Sequence, residues 1–148
     1  MTALIVALPI VLSACAAGST PQSSSSESSQ PAASGNSAAK SELDSQSFAA
    51  TAIEKGPAIV TGSKIEISFV EGRIVVNAGC NTMTGGVSLE AGTVVVKHLA
   101  STMMACEPGL TAQDAWLNEF LESGPKWSLV GEALTLDNGT TSIILERG

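Results

Sequence analysis

Lys64-Ile65-Glu66-Ile67-Ser68-Phe69-Val70-Glu71-Gly72-Arg73-Ile74-Val75-Val76-Asn77 sets the fold class. Its first half alternates polar and apolar side chains with period two, so Ile65, Ile67 and Phe69 share one face of an extended chain. Glu71-Gly72 supplies turn chemistry, and residues 73–77 resume the pattern with Ile74 and Val76 directed inward. The stretch is a β-hairpin with one buried face.

The same reading extends in both directions. Residues 48–53 form a weaker first strand, and residues 87–89 and 93–96 flank Glu90-Ala91-Gly92 as a second hairpin. Residues 126–130, 133–137 and 141–146 are three more strands, separated by Gly131-Glu132 and Asn138-Gly139, both suited to two-residue turns. Asn138-Gly139-Thr140 also spells a glycosylation sequon, but a turn suits its place between two strands better. One amphipathic helix is expected over residues 111–123. Thr111 serves as its N-cap with Asp114 three residues on, in the manner of a capping box. Trp116, Leu117, Phe120 and Leu121 share a face, Asn118, Glu119 and Glu122 take the wet side, and Gly124-Pro125 stops the helix. The expectation is a mostly β (α+β) domain of about eight antiparallel strands. The single helix lies over one opening or face of the sheet, with Trp116 and Phe120 as core.

The folded unit spans residues 43–148 of a 148-residue chain, enough for one core. Residues 16–41 contain no Val, Ile, Leu, Met or aromatic side chain and are rich in Ser, Ala, Pro, Gln and Gly. Such a segment buries too little apolar surface to offset chain entropy and reads as a disordered linker. With seven basic and fourteen acidic side chains the net charge is −7, which repels phosphate backbones and anionic head groups. Nucleic acid is therefore not an expected partner.

Residues 3–12 form an apolar run ending in Leu12-Ser13-Ala14-Cys15. The run is shorter than the roughly 20 residues a membrane-spanning helix needs and fits the h-region of a signal peptide, about 7–15 residues. The arrangement resembles a bacterial lipoprotein signal. That resemblance implies a cleaved segment 1–14, a lipidated Cys15 as the first mature residue, and residues 15–42 as a linker. It implies a lipid anchor in the cell membrane facing the extracytoplasmic side, with more than one acyl chain holding the contact, since no polybasic patch assists. Met1-Thr2 offers no Lys or Arg for an n-region, so a basic stretch upstream of Met1 is expected.

Ala78-Gly79-Cys80-Asn81 and Ala100-Ser101-Thr102-Met103-Met104-Ala105-Cys106 carry a second resemblance, to the META domain, or HslJ, family. That family has a Gly-Cys-Asn motif after a strand, then a Thr-x-Met-Ala-Cys motif, a helix and closing strands. Gly85-Gly86, Trp127-x-Leu129 and Leu134-Thr135-Leu136 fit as well. The chain departs from it at Phe48, where the family often has Trp, and at Thr82, where it often has a large aromatic or Arg. The resemblance implies a small, partly open β-barrel crossed by one helix. It also implies an envelope-associated accessory domain, in some members stress-related, with no catalytic residues to carry over.

Cys80 and Cys106 have three readings. If Cys15 is lipidated, two thiols remain, which suits a disulfide outside the cytoplasm. The disulfide is the expectation, and reduced buried thiols are the alternative. Third, Cys106 and His98 could form a nucleophile pair. His98 is the sole histidine, and its spacing from Cys106 and Glu107 matches no metal-ligand pattern. No cofactor is expected. Gly79, Asn81, Thr102, Met103, Met104 and Ala105 are candidates for structural or partner-contact roles, with Asn77 and Asn81 satisfying backbone groups at a bend and Met103-Met104 divided between core and surface. Two functions follow. One is a membrane-tethered, non-enzymatic module that binds or supports another envelope component. The other is a carrier of a small apolar or acyl ligand in the barrel cavity.

Overall fold

The computed structural model describes residues 41–148; the proposed signal 1–14, Cys15 and the linker as far as residue 40 lie outside the described residues. The strands are β1 Gln46–Glu54, β2 Glu66–Val70, β3 Arg73–Asn77, β4 Thr82–Ser88, β5 Val95–Ser101, β6 Lys126–Val130, β7 Ala133–Asp137 and β8 Ser142–Arg147. A 3-10 turn, Glu90–Gly92, joins β4 to β5, and helix α1, Pro108–Glu122, joins β5 to β6. All eight strands form one antiparallel sheet in the order β5-β4-β3-β2-β1-β8-β7-β6. β1 therefore sits between two meanders. The sheet curls into a half-barrel, and its edge strands touch at one end only. There Thr93 bridges Lys126, and the Val94 N–H donates to the Pro125 carbonyl at 2.8 Å. No helix among the described residues is long and apolar enough to cross a membrane.

The inward-facing set is as the alternation required. Ile65, Ile67, Phe69, Ile74 and Val76 are buried, and they join Phe48, Leu134, Leu136, Ile143, Leu145 and, from α1, Leu117, Phe120 and Leu121 in one core. Phe48 meets Phe69 edge-on at 6.3 Å, and the Arg147 guanidinium lies 5.9 Å above the Phe48 ring. The concave side of the sheet is thus occupied by side chains.

Two hairpins have two-residue turns, since Val70 pairs with Arg73 and Val130 with Ala133. Glu71 (φ 49°) and Gly72 (φ 74°) are both left-handed, the type I′ geometry that matches strand twist. The third departs from expectation. Asp137 pairs with Ser142, so Asn138-Gly139 belongs to a four-residue loop. Side chains in the loop explain the longer form. Asn138 Oδ1 accepts from the N–H groups of Thr140 (3.0 Å) and Thr141 (2.9 Å). The Asp137 carboxylate accepts from the Ser142 hydroxyl and the Gly139 N–H, and these bonds hold its pKa below the ordinary carboxylate value.

β4 and β5 run longer than their hydrophobic pattern suggests, because Thr and Gly replace apolar residues in Thr82–Ser88. Their register shifts between Thr84 and Gly86. At this bulge a Cβ on Gly85 would lie 2.9 Å from the Lys97 carbonyl oxygen, so only glycine fits. Across the bulge His98 is exposed and left-handed (φ 51°). Its imidazole packs on no core, so His98→Ala should change stability by less than about 0.5 kcal/mol in a denaturant titration. A larger loss would mean that the ring holds the bulge.

Helix α1 begins three residues before the expected start. Glu107 is the N-cap and Pro108 occupies the first turn, where its missing N–H costs nothing. Thr111 is not the cap; its N–H donates to the Glu107 carbonyl at 3.1 Å within the helix. Nor does Asp114 belong to a capping box. With Gln113, Leu117, Phe120 and Leu121 it lies on the buried face.

Trp116 is a second correction. It is half-buried: it packs against the edge of the core and stacks on Phe120 with ring centroids 5.7 Å apart, with its other side open to solvent. Trp116→Ala should therefore cost about 1–2 kcal/mol, well under the 3–5 kcal/mol of a fully buried Trp, and leave the domain folded by circular dichroism. An unfolded variant would return Trp116 to the core.

Candidate functional site

Asn81 is the polar centre of the domain. It belongs to the first cysteine motif, immediately precedes β4, bonds to the second motif and is 9% exposed. Its backbone N–H and its Nδ2 both donate to Asp114 Oδ2, at 3.0 and 2.7 Å. Its Oδ1 accepts from the Thr102 hydroxyl and from the Met104 N–H, each at 2.9 Å. Nδ2 also reaches the Cys80 sulfur at 3.3 Å. One carboxamide thus ties β4, the segment after β5 and helix α1 together. Thr102 reinforces this link, its hydroxyl accepting from the Thr82 N–H at 3.1 Å.

Cys80 and Cys106 form a disulfide with Cα atoms 6.1 Å apart, in the same corner. No thiol is left there for a Cys–His nucleophile. Among the described residues no three His, Cys, Asp or Glu side chains come together as a metal site. Gly79 (φ 97°) precedes the disulfide, donates its N–H to Asn77 Oδ1 at 2.8 Å and would place a Cβ 2.8 Å from that of Ser63. Both the left-handed turn and the close approach require glycine. Met103 and Met104 do not divide between core and surface. Both are exposed, at 98% and 65%, and Ala105 is exposed beside them.

The residues missed by sequence reasoning are Gln113 and Asp114, and the groove they help to fasten. Gln113 Oε1 accepts from the Val60 N–H at 2.7 Å, while its Nε2 donates to the Ala78 carbonyl at 2.6 Å and to Ser63 Oγ at 3.0 Å. The loop after β1 is thereby pinned to α1. Its other end is held by the Thr141 hydroxyl, which donates to the Lys55 carbonyl at 3.1 Å. Between this loop and α1 runs an apolar groove of about 390 Å³, lined mainly by Ile53, Pro57, Ala58, Val60, Ala112 and Trp116. A neighbouring and less apolar pocket of about 440 Å³ shares Val60 and Gly109 with it and reaches Ser63, Gly79 and Glu107. Pro at N1 was the signal that could have revealed this arrangement. A helix starting at Pro108 puts Gln113 and Asp114 on the same stripe as Leu117, Phe120 and Leu121, and two polar residues on a buried stripe need partners.

The half-barrel is shared with solved structures. One NMR structure superposes with a TM-score of 0.60 at 28% identity, over 72% of this chain and 92% of its own. An NMR structure of a protein from Burkholderia xenovorans gives 0.59 at 22% identity, over 95% and 99%. A crystal structure of a DUF4847 family protein from Bacteroides vulgatus ATCC 8482 gives 0.54 at 12% identity, over 73% and 96%, and these last two share the fold alone. No curated protein matches the chain. The META domain family model matches residues 41–147, a span that holds every strand, α1, the Asn81 network and both cysteines of the disulfide. With fold, motifs and span in agreement, the chain belongs to the META domain family.

Proposed function

We propose that the protein is a membrane-tethered, non-enzymatic accessory module of the cell envelope. The lipid on Cys15 holds it at the membrane, and the groove beside Trp116 binds another envelope component. The observation that carries this reading is the preformed apolar groove. Its two walls are fixed to each other through Gln113, and that residue's amide is already engaged with Val60, Ser63 and Ala78. A rigid apolar surface loses little entropy on binding. Membership of the META family supports a non-enzymatic, envelope-associated module. A tether adds effective concentration near membrane-held partners and gives no comparable advantage for chemistry on a diffusing substrate.

The carrier reading places an acyl ligand inside the sheet. Phe48, Ile67, Leu117 and Phe120 occupy that space, so the interaction module is the better supported of the two.

Two measurements test the proposal. Mass spectrometry of the membrane fraction should show an acylated peptide beginning at Cys15; soluble protein retaining Met1 would remove the tether from the reading. A photo-crosslinking residue in place of Ala58, in the full-length protein, should give a discrete adduct in membranes. The same residue in place of Glu71, by the start of β1 and so far along that strand from Ile53, should give none. Equal adducts from both positions would remove the groove from the reading.

A further inference from the structure

We infer that Met103 and Met104 form a site of reversible sulfoxidation, which takes up a two-electron oxidant such as hydrogen peroxide without loss of the fold. Three observations lead there. First, the two thioethers are exposed at 98% and 65%, whereas Met83 is buried at 1%. Oxidation of methionine follows exposure.

Second, the displayed segment is anchored on both sides of the pair. The Thr102 N–H donates to the Thr82 carbonyl at 3.1 Å, the Met104 N–H to Asn81 Oδ1 at 2.9 Å, and the disulfide follows at Cys106. These contacts use backbone groups, the Asn81 carboxamide and the cysteines, and neither thioether takes part. A change at sulfur therefore leaves them in place.

Third, the sulfurs that would otherwise react first are withdrawn. Cys80 and Cys106 are paired with each other, so among the described residues the accessible reducing sulfurs are the two methionines.

The step balances. A thioether lone pair attacks one peroxide oxygen, an S–O bond forms and the O–O bond breaks. The departing hydroxide takes the remaining proton and leaves as water. Sulfur gives up two electrons and peroxide accepts them. Each event turns an exposed apolar side chain into a polar, chiral sulfoxide, so the surface beside the disulfide changes polarity with oxidant load.

The full-length protein with its disulfide intact is exposed to hydrogen peroxide and followed by peptide mass spectrometry. Sulfoxide at Met103 and Met104 should accumulate roughly tenfold faster than at Met83, and the two rates should converge in denaturant. The thermal midpoint should not move, and methionine sulfoxide reductases A and B should restore the mass. The Met103→Leu/Met104→Leu protein should fold and lose the two fast additions. Oxidation of Met83 at the same pace in the folded protein, unfolding that accompanies oxidation of the pair, or failure of both reductases would each overturn the assignment.

Discussion

Asn81→Ala should lower the stability of the domain by about 3–4 kcal/mol, because it strands several buried groups at once. Asp114 is 7% exposed, and its Oδ1 has no protein partner among the described residues. Its Oδ2 depends on two donors from Asn81, and the alanine removes the side-chain one at 2.7 Å. The Thr102 hydroxyl and the Met104 N–H lose their acceptor in the same step. Each unmet buried group costs about 1–3 kcal/mol, with the more exposed Thr102 and Met104 at the low end. Asp114→Ala should be costly for the converse reason, leaving Asn81's N–H and Nδ2 without their oxygen. Since the two residues act as a unit, the double variant should be less destabilised than the sum, with a coupling of about 1–3 kcal/mol in denaturant titrations. Strict additivity would mean that the pair does not hold α1 to β4, and the Asn81 network would then be incidental to the fold.

How far this arrangement could be read from the chain depends on the kind of signal. Strands β3, β6 and β7 fall on their expected residues because alternation between a wet and a buried face is local and survives any tertiary context. β4 and β5 were foreshortened because their pairing rests on backbone groups and a glycine bulge, which leave little hydrophobic trace. The helix start was misplaced because Thr111 and Asp114 satisfy the capping pattern while Pro108-Gly109 resembles a loop. Local chemistry allowed both starts. Tertiary structure chose the earlier one, in which Asp114 meets Asn81 across a separation of 33 residues. The cysteine motifs marked the right corner of the molecule, but not its partner on α1. The groove left no sequence trace beyond Pro108, which sets the helix start. It depends on a loop with no periodicity, brought against α1 by the Gln113 amide and by Gly56, where a Cβ would lie 2.7 Å from Ile53 and Thr141 side-chain carbons.

Cys80→Ala/Cys106→Ala should cost about 3.5 kcal/mol on the chain-entropy model, for a cross-link closing a separation of 26 residues. A Cα–Cα distance of 6.1 Å lies within the ordinary range for the bond. The closed loop contains β4, the 3-10 turn and β5, so the bond clamps the base of the hairpin that forms one edge of the sheet. The first consequence falls on the denatured state. Without the cross-link the unfolded chain expands, so the denaturant m-value should rise as the midpoint falls. A loss of this size lowers the thermal midpoint of a domain of about 100 residues by roughly 15–25 °C. The second consequence falls on the folded state. β5 has a paired neighbour on one side only, so amide exchange should quicken in β5 and in residues 102–107 while β1 and β8, in the middle of the sheet, keep their protection. Asn81 still holds this segment, so the double variant should remain folded, and removing Asn81 and the disulfide together should unfold it. Thiol titration of the denatured, exported parent should find neither cysteine free. Two free thiols in that parent, or a double variant within about 1 kcal/mol of it, would show that the corner is held by Asn81 alone and that the cysteines are no more than neighbours.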